Sequence, residues 1–304
     1  MKISVIQQCL KGTYDYSKVQ PGLEEIQAMA NGTVDECLEL IAQAANEGAE
    51  LAVTIETVNA CLSFHDTRFP SNTVYGGLDS PVVKRFSEAA KKHKMHIVAG
   101  LVLTLDGKAY NCAVLFDSKG EIVGIHKKVH LPAGEEIHYG YGDRFEVFKT
   151  EIGNIGMLVC WDMQFPEAVR ELALGGADLI ACPTYGWENI YGLSRAYESS
   201  VTIAAAMATW GGELGGYCDP SCIVDNMGKI IAAAPRSGSA VVTADVDIGK
   251  EPAPQYGSQH FYPSHSMRKT RFSQRRPETY RLINLPLEET PLYKRYFGDD
   301  CENK

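Results

Sequence analysis

Gly156-Met157-Leu158-Val159-Cys160-Trp161-Asp162-Met163-Gln164-Phe165-Pro166-Glu167 changes character at one residue, Cys160. The run 155–159 before it is apolar or glycine and predicts a buried strand. After the cysteine a polar break leads to Pro166 and Glu167, and Val169, Leu172 and Ala173 then recur at helical spacing up to Gly175-Gly176. Proline in a first turn and glycine just past the last are helix start and stop signs. Residues 178–182 read as a second buried strand, so the unit is strand, sharp turn, helix, strand. A cysteine leaving a buried strand ahead of a helix sits where a scaffold can hold a nucleophile rigidly. A free cysteine is also an ordinary small core hydrophobe, so the rest of the chain has to decide.

Outward from this unit, the same elements recur on both sides. Upstream, 2–8 reads as a strand, and 34–49 as a helix with Cys37, Leu38, Ile41 and Ala45 on one face. Residues 51–55 form a short strand that ends at Glu56, and 81–93 a helix with Val82, Val83, Phe86 and Ala90 aligned. Strands follow at 96–105, 110–117 and 122–127, separated by turn signals at Asp106-Gly107 and Lys119-Gly120. Downstream come a helix at 191–198, a strand at 201–208, a hairpin from 221–224 and 230–234, and a strand at 240–246. Asn31-Gly32-Thr33 reads as a surface loop. Pure strand–helix alternation would give one doubly wound sheet, but the hairpins in both halves spoil that. A core of sheet on sheet, with helices outside each sheet, fits the mixture.

Composition narrows the function classes. The 304 residues are 45% hydrophobic, ample for a large core, and carry a formal charge of −9. That charge argues against a nucleic-acid groove or an anionic membrane surface as partner. No run approaches the roughly 20 apolar residues that span a bilayer, and the first residues lack a secretory pattern. Nine cysteines without CxxC pairs read as reduced thiols of a cytoplasmic protein, and no cluster has metal-ligand spacing. Beyond about residue 250 the content of Pro, Gln, Ser and Arg rises. The basic stretch 268–276 reads as a solvated or subunit-contacting tail.

Three strand ends carry groups that can do chemistry: Glu56, Lys128 in Lys128-Val129-His130-Leu131, and Cys160. A thiolate is the reactive form of cysteine, so a neighbouring base or cation is needed to generate it. Glutamate can be that base, while lysine suits a developing oxyanion better.

Together, Glu56, Lys128-x-His130-Leu131 and Cys160-Trp-Asp-x-x-Phe-Pro-Glu167 resemble the nitrilase superfamily of carbon–nitrogen hydrolases. Gly142-Asp143, Gly175-Gly-Ala-Asp178, Pro183-Thr184, Arg195-Ala-x-Glu198, Asp225-x-x-Gly228 and Arg275-Arg-Pro-Glu278 match in the same order. The resemblance spans 1–280 and leaves 281–304 as a C-terminal tail suited to a subunit contact. It implies a four-layer α-β-β-α sandwich, a homodimer or larger homo-oligomer, and no metal or organic cofactor. It further implies Cys160 as nucleophile, Glu56 as general base and Lys128 as support for the tetrahedral intermediate, with the Trp161 N–H on its oxyanion. A second glutamate before Gly142 is matched best by Glu136, with Glu135 the near alternative. One departure stands out: the first glutamate commonly follows proline, whereas Thr54-Ile55 precede Glu56 here.

The Cys-Trp-Asp form resembles the amidase and N-carbamoyl-amine hydrolase branches, with a small linear amide or carbamoyl compound as substrate and ammonia as product. True nitrilases typically carry Cys-Trp-Glu, and carbamoylases of D-amino acids carry arginines where Met163 and Gln164 stand. Tyr185, Trp187 and Glu188, with the loop Trp210-Gly211-Gly212-Glu213, are the pocket residues to expect. Acyl transfer to an amine and a catalytically silent scaffold are the competing readings.

Overall fold

The computed structural model describes residues 1–10, 21–60, 69, 71–210, 214, 216–249 and 266–297. Two β-sheets stack face to face. The first contains β1 (Lys2–Leu10), β2 (Leu51–Val53), β3 (His96–Leu105), β4 (Lys108–Phe116) and β5 (Ile122–Lys127). The second contains β6 (Val147–Thr150), β7 (Gly153–Met157), β8 (Leu179–Thr184), β9 (Thr202–Trp210), β10 (Cys222–Val224) and β11 (Ile230–Ala233). A final strand, β12 (Ala240–Asp245), returns to pair antiparallel with β1. Strands β1, β2 and β3 run parallel, as do β7, β8 and β9, while the outer strands are antiparallel. The sheets meet where Gln8, Cys9 and Leu10 of β1 pair with Ala208, Thr209 and Trp210 of β9.

Alternation along the strands builds the layers. Ile3, Val5, Leu51, Val53, Val98, Ala113 and Leu115 point inward against Ile155, Met157, Leu179, Ala181, Ala204 and Ala206 of the other sheet. Ile6, Ala52, Ile97, Ala99 and Val114 face the opposite way, into a second core with the outer helices. Those helices are α1 (Leu23–Asn46), the short α2 (Ser71–Val74) and α3 (Pro81–His93). Val34, Cys37 and Ile41 of α1 and Val83, Phe86 and Ala90 of α3 fill that core. On the far side lie α4 (Pro166–Leu174) and α5 (Asn189–Ser199). Gly156 lets α4 settle on β7: a Cβ there would lie 3.0 Å from Leu172 Cδ1. The result is the α-β-β-α sandwich expected.

Two differences have physical causes. Helix α1 begins at Leu23, so Asn31-Gly32-Thr33 is helix interior and not a loop. Burial of Ile26, Thr33 and Val34 on one face, and the bond from Gln8 Nε2 to the Thr33 carbonyl at 2.7 Å, override the poor helix propensity of Asn and Gly. Strand β6 has no alternating signature because its four residues are only half buried or exposed.

The chain divides into compact units Met1–Pro252 and Ala253–Lys304, so the first unit is shorter than the 1–280 span of the motif matches. In the second unit, α6 (Met267–Ser273) is capped by Ser266, which accepts from Lys269 N at 3.1 Å. The last helix there, α7 (Pro291–Tyr296), is capped by Thr290 accepting from Tyr293 N. No helix among the described residues is long and apolar enough to cross a membrane.

Candidate active site

The strand ends converge at one end of the sandwich. Lys128 follows β5 directly, and Glu56 lies three residues beyond β2. Cys160 opens a 3₁₀ turn, Cys160–Gln164, between β7 and α4. Its φ is +46°, a left-handed conformation that costs a non-glycine residue on the order of 1–3 kcal/mol. Such strain places the side chain at the crest of the strand-to-helix turn.

Glu56 and Lys128 are both fully buried, and Lys128 Nζ lies 2.9 Å from Glu56 Oε1. A second carboxylate, Glu135, holds the same ammonium with both oxygens, at 3.0 and 2.9 Å. Burial opposes charge on Lys128, but Glu56, Cys160 and Glu135 outweigh it and hold the pKa above its ordinary value. Burial, aided by the Glu56 charge, shifts the Glu135 carboxyl upward against the pull of Lys128. The expected Glu136 is not the partner. It is exposed on the same 3₁₀ turn, Glu135–Ile137, and its Oε2 accepts from Gly134 N at 2.7 Å. With about three residues per turn, one step along that turn swings the side chain by about a third of a circle. Spacing to Gly142 could not resolve that step.

The Glu56 carboxylate is pinned from three sides. Asn111 Nδ2 donates to Oε1 at 2.7 Å alongside Lys128, and the Tyr185 N–H donates to Oε2 at 3.0 Å. Thr54, standing two residues before the glutamate, accepts from Gly100 N at 3.0 Å and ties this loop to β3. Gly100 is required for close approach: a Cβ there would lie 2.3 Å from the Ile55 carbonyl oxygen and 2.8 Å from Glu56 Cα. Asn111 is absent from the residues expected at the site, and its one signal in the sequence is a lone amide within the apolar run of β4.

At the nucleophile, burial first and the Glu56 charge second push the thiol up to about 12, while Lys128, Thr184 and the Tyr185 N–H act the other way. Gly186 leaves room beside the sulfur, with its Cβ position 3.9 Å from Cys160 Sγ. Trp161 is 41% exposed beside the nucleophile. Tyr185 is half buried, with its hydroxyl bonded to Thr57, and Glu188 is half buried at the start of α5. Trp187 behaves differently. It is fully buried, donates to Asn189 Oδ1 at 3.0 Å and packs edge-on against Tyr191, so it supports the loop and faces no open surface. Residues 211–213 of the expected Trp210–Glu213 pocket loop lie outside the described residues. No group of metal-ligating side chains occurs among the described residues.

A cysteine in a left-handed turn thus stands under the charges of Glu56 and Lys128, and Lys128 is bonded to both Glu56 and Glu135. Residues 19–251 match the sequence profile of the carbon–nitrogen hydrolases. The chain belongs to this family, the nitrilase superfamily of hydrolases acting on carbon–nitrogen bonds other than peptide bonds. It is 30% identical over 268 residues to a citrullinase of Francisella tularensis, covering 79% of this chain and 88% of that one. It is 30% identical over 159 residues to an N-carbamoylputrescine amidase of Oryza sativa, covering 50% of this chain and 52% of the rice protein. Its fold matches an amidase of the superfamily from Nesterenkonia with a TM-score of 0.69 at 22% identity, over 92% of this chain and 96% of that one.

Proposed function

We propose that the protein hydrolyses a small linear amide or N-carbamoyl amine through a covalent cysteine intermediate and releases ammonia. The observation that carries this reading is the Cys160 thiol, held at a strained turn under the charges of Glu56 and Lys128. Burial keeps the resting sulfur protonated, so attack has to be coupled to proton transfer. Glu56 takes the thiol proton as sulfur bonds to the carbonyl carbon. The oxyanion that forms faces the Lys128 ammonium and the Trp161 N–H. Glu56 then returns the proton to the leaving nitrogen as the carbon–nitrogen bond breaks and ammonia departs. Water, deprotonated by Glu56, resolves the thioester and regenerates the thiol. Glu135 shares the lysine and keeps its ammonium aimed while Glu56 changes charge.

Glu188, half buried two residues beyond Gly186, supports an amine-bearing substrate, as do the relatives named for citrulline and N-carbamoylputrescine. Met163 and Gln164 offer no cation for a substrate carboxylate. The net charge of −9 supports a small-molecule partner over nucleic acid or membrane, and the reading includes a cytoplasmic homo-oligomer whose tail contacts the next subunit.

The test is ammonia release across linear amides, N-carbamoyl amines, N-carbamoyl amino acids and nitriles, with hydroxylamine added to reveal acyl transfer. Cys160→Ala should remove all turnover while leaving the melting curve in place. Turnover surviving in that variant would refute the mechanism.

A further inference from the structure

Lys128 is flanked two residues to either side by histidines, and both reach one carboxylate. His126 Nε2 lies 2.8 Å from Asp162 Oδ2, and His130 Nδ1 lies 2.9 Å from Asp162 Oδ1. The Val159 N–H donates to Oδ2 at 3.1 Å and the His130 N–H to Oδ1 at 2.9 Å. Asp162 is fully buried and ionised carboxylates only accept, so each ring has to present an N–H to it. His126 therefore donates through Nε2 and His130 through Nδ1. Burial opposes the charge on Asp162, but the histidine bonds outweigh it and hold the carboxyl well below the usual range. The rings are fixed in turn. His126 stacks on Phe145 at 5.7 Å between centroids, and His130 lies on Phe165 at 3.7 Å with 10° between planes.

Through these bonds one side chain holds the residue before the nucleophile and the residues on both sides of the lysine. Cys160 comes from the second sheet and Lys128 from the first, so nothing local to either strand sets their separation. We propose that Asp162, with His126 and His130 as its donors, is a positioning group that sets the Cys160 turn against Lys128. The inference rests on the reading of the site as a cysteine hydrolase. None of the three side chains is placed on the reacting atoms; they act through the backbone of Val159 and the strand carrying Lys128.

His126→Phe keeps a ring to stack on Phe145 and removes the N–H, and His126→Gln returns a donor. For each, kcat and KM are measured on the best substrate of the panel. The rate of Cys160 alkylation by iodoacetamide is measured with no substrate present. A displacement near 1 Å costs roughly 100-fold. The Phe variant should therefore lose about 100-fold in kcat and slow in alkylation, with KM within about threefold, and Gln should restore most of both. A folded Phe variant with wild-type kcat and alkylation overturns the proposal, as does a Gln variant as slow as Phe. If His126→Phe does not fold, His130→Phe, at a ring 27% exposed, carries the test. It should show the same loss in kcat with KM kept, and an unchanged kcat there overturns the proposal. A wild type that releases no ammonia, beside a Phe variant with slowed alkylation, would remove the proposed function and leave the positioning role standing.

Discussion

Lys128 holds two carboxylates at once, and the two do different work. Glu56 is pinned by Asn111 and the Tyr185 N–H as well as by the lysine, whereas Glu135 grips the ammonium with both oxygens. Removing the Glu135 charge would leave Lys128 to pair with Glu56 alone, drawing the base toward the ammonium and away from the thiol. Glu135→Gln should therefore lower kcat for ammonia release by about 100-fold, in the range of a lost acid–base contribution. Glu136→Gln, altering an exposed carboxylate that accepts from Gly134 N, should leave kcat within about twofold, as surface changes away from such features do. Equal losses in the two variants would contradict the placement of Glu135. Residues with a chemical signature of their own, Cys160, Lys128 and Glu56, were legible in the sequence because each follows a strand. Glu135 was not, because its choice over Glu136 depends on the rotation of one short turn. The contacts of Asn111 and Asp162 are illegible for another reason: a buried polar residue shows its purpose only when its partners, far away in the chain, are in view.

At the scale of elements, the site depends on how closely β3 lies under the loop that carries Glu56. Gly100→Ala would place a methyl group 2.3 Å from the Ile55 carbonyl oxygen and 2.9 Å from Pro183 Cβ, so the loop has to rise. Overpacking of this kind costs about 1–3 kcal/mol. The expected outcome is a lower urea midpoint together with a disproportionate loss of kcat, since the same shift moves Glu56. A variant with the wild-type midpoint would show that the loop yields freely. Strands and helices are legible where periodicity is strong: α3 and β3 begin and end where the pattern does. Reading failed where long-range contacts outweighed local preference. Helix α1 runs through Asn31-Gly32-Thr33 because its buried face continues across them.

For the whole molecule, the buried thiols make stability a function of alkaline pH. Burial pushes Cys112 and Cys222 up to about 12 from an ordinary value of 9.0. The unfolded chain releases these protons from about pH 9, and the folded chain only near pH 12, so the stabilisation present below pH 9 is lost as pH climbs through that window. Each thiol should remove up to about 1.4 kcal/mol of stability per pH unit there. Urea midpoints measured at about pH 8, 9 and 10 should fall over the last step, and Cys112→Ala should flatten the fall. A midpoint that does not move would show that these thiols ionise equally in both states. The pairing of Gln8, Cys9 and Leu10 with Ala208, Thr209 and Trp210 gives the sandwich a further property. It is the spine of a book whose two leaves carry the two halves of the proposed chemistry, Glu56 and Lys128 on one page, Cys160 on the other. Catalysis is thus a ruler laid across the gutter. On that proposal, leaves that part slightly would lose activity with each hydrogen-bond ladder still intact.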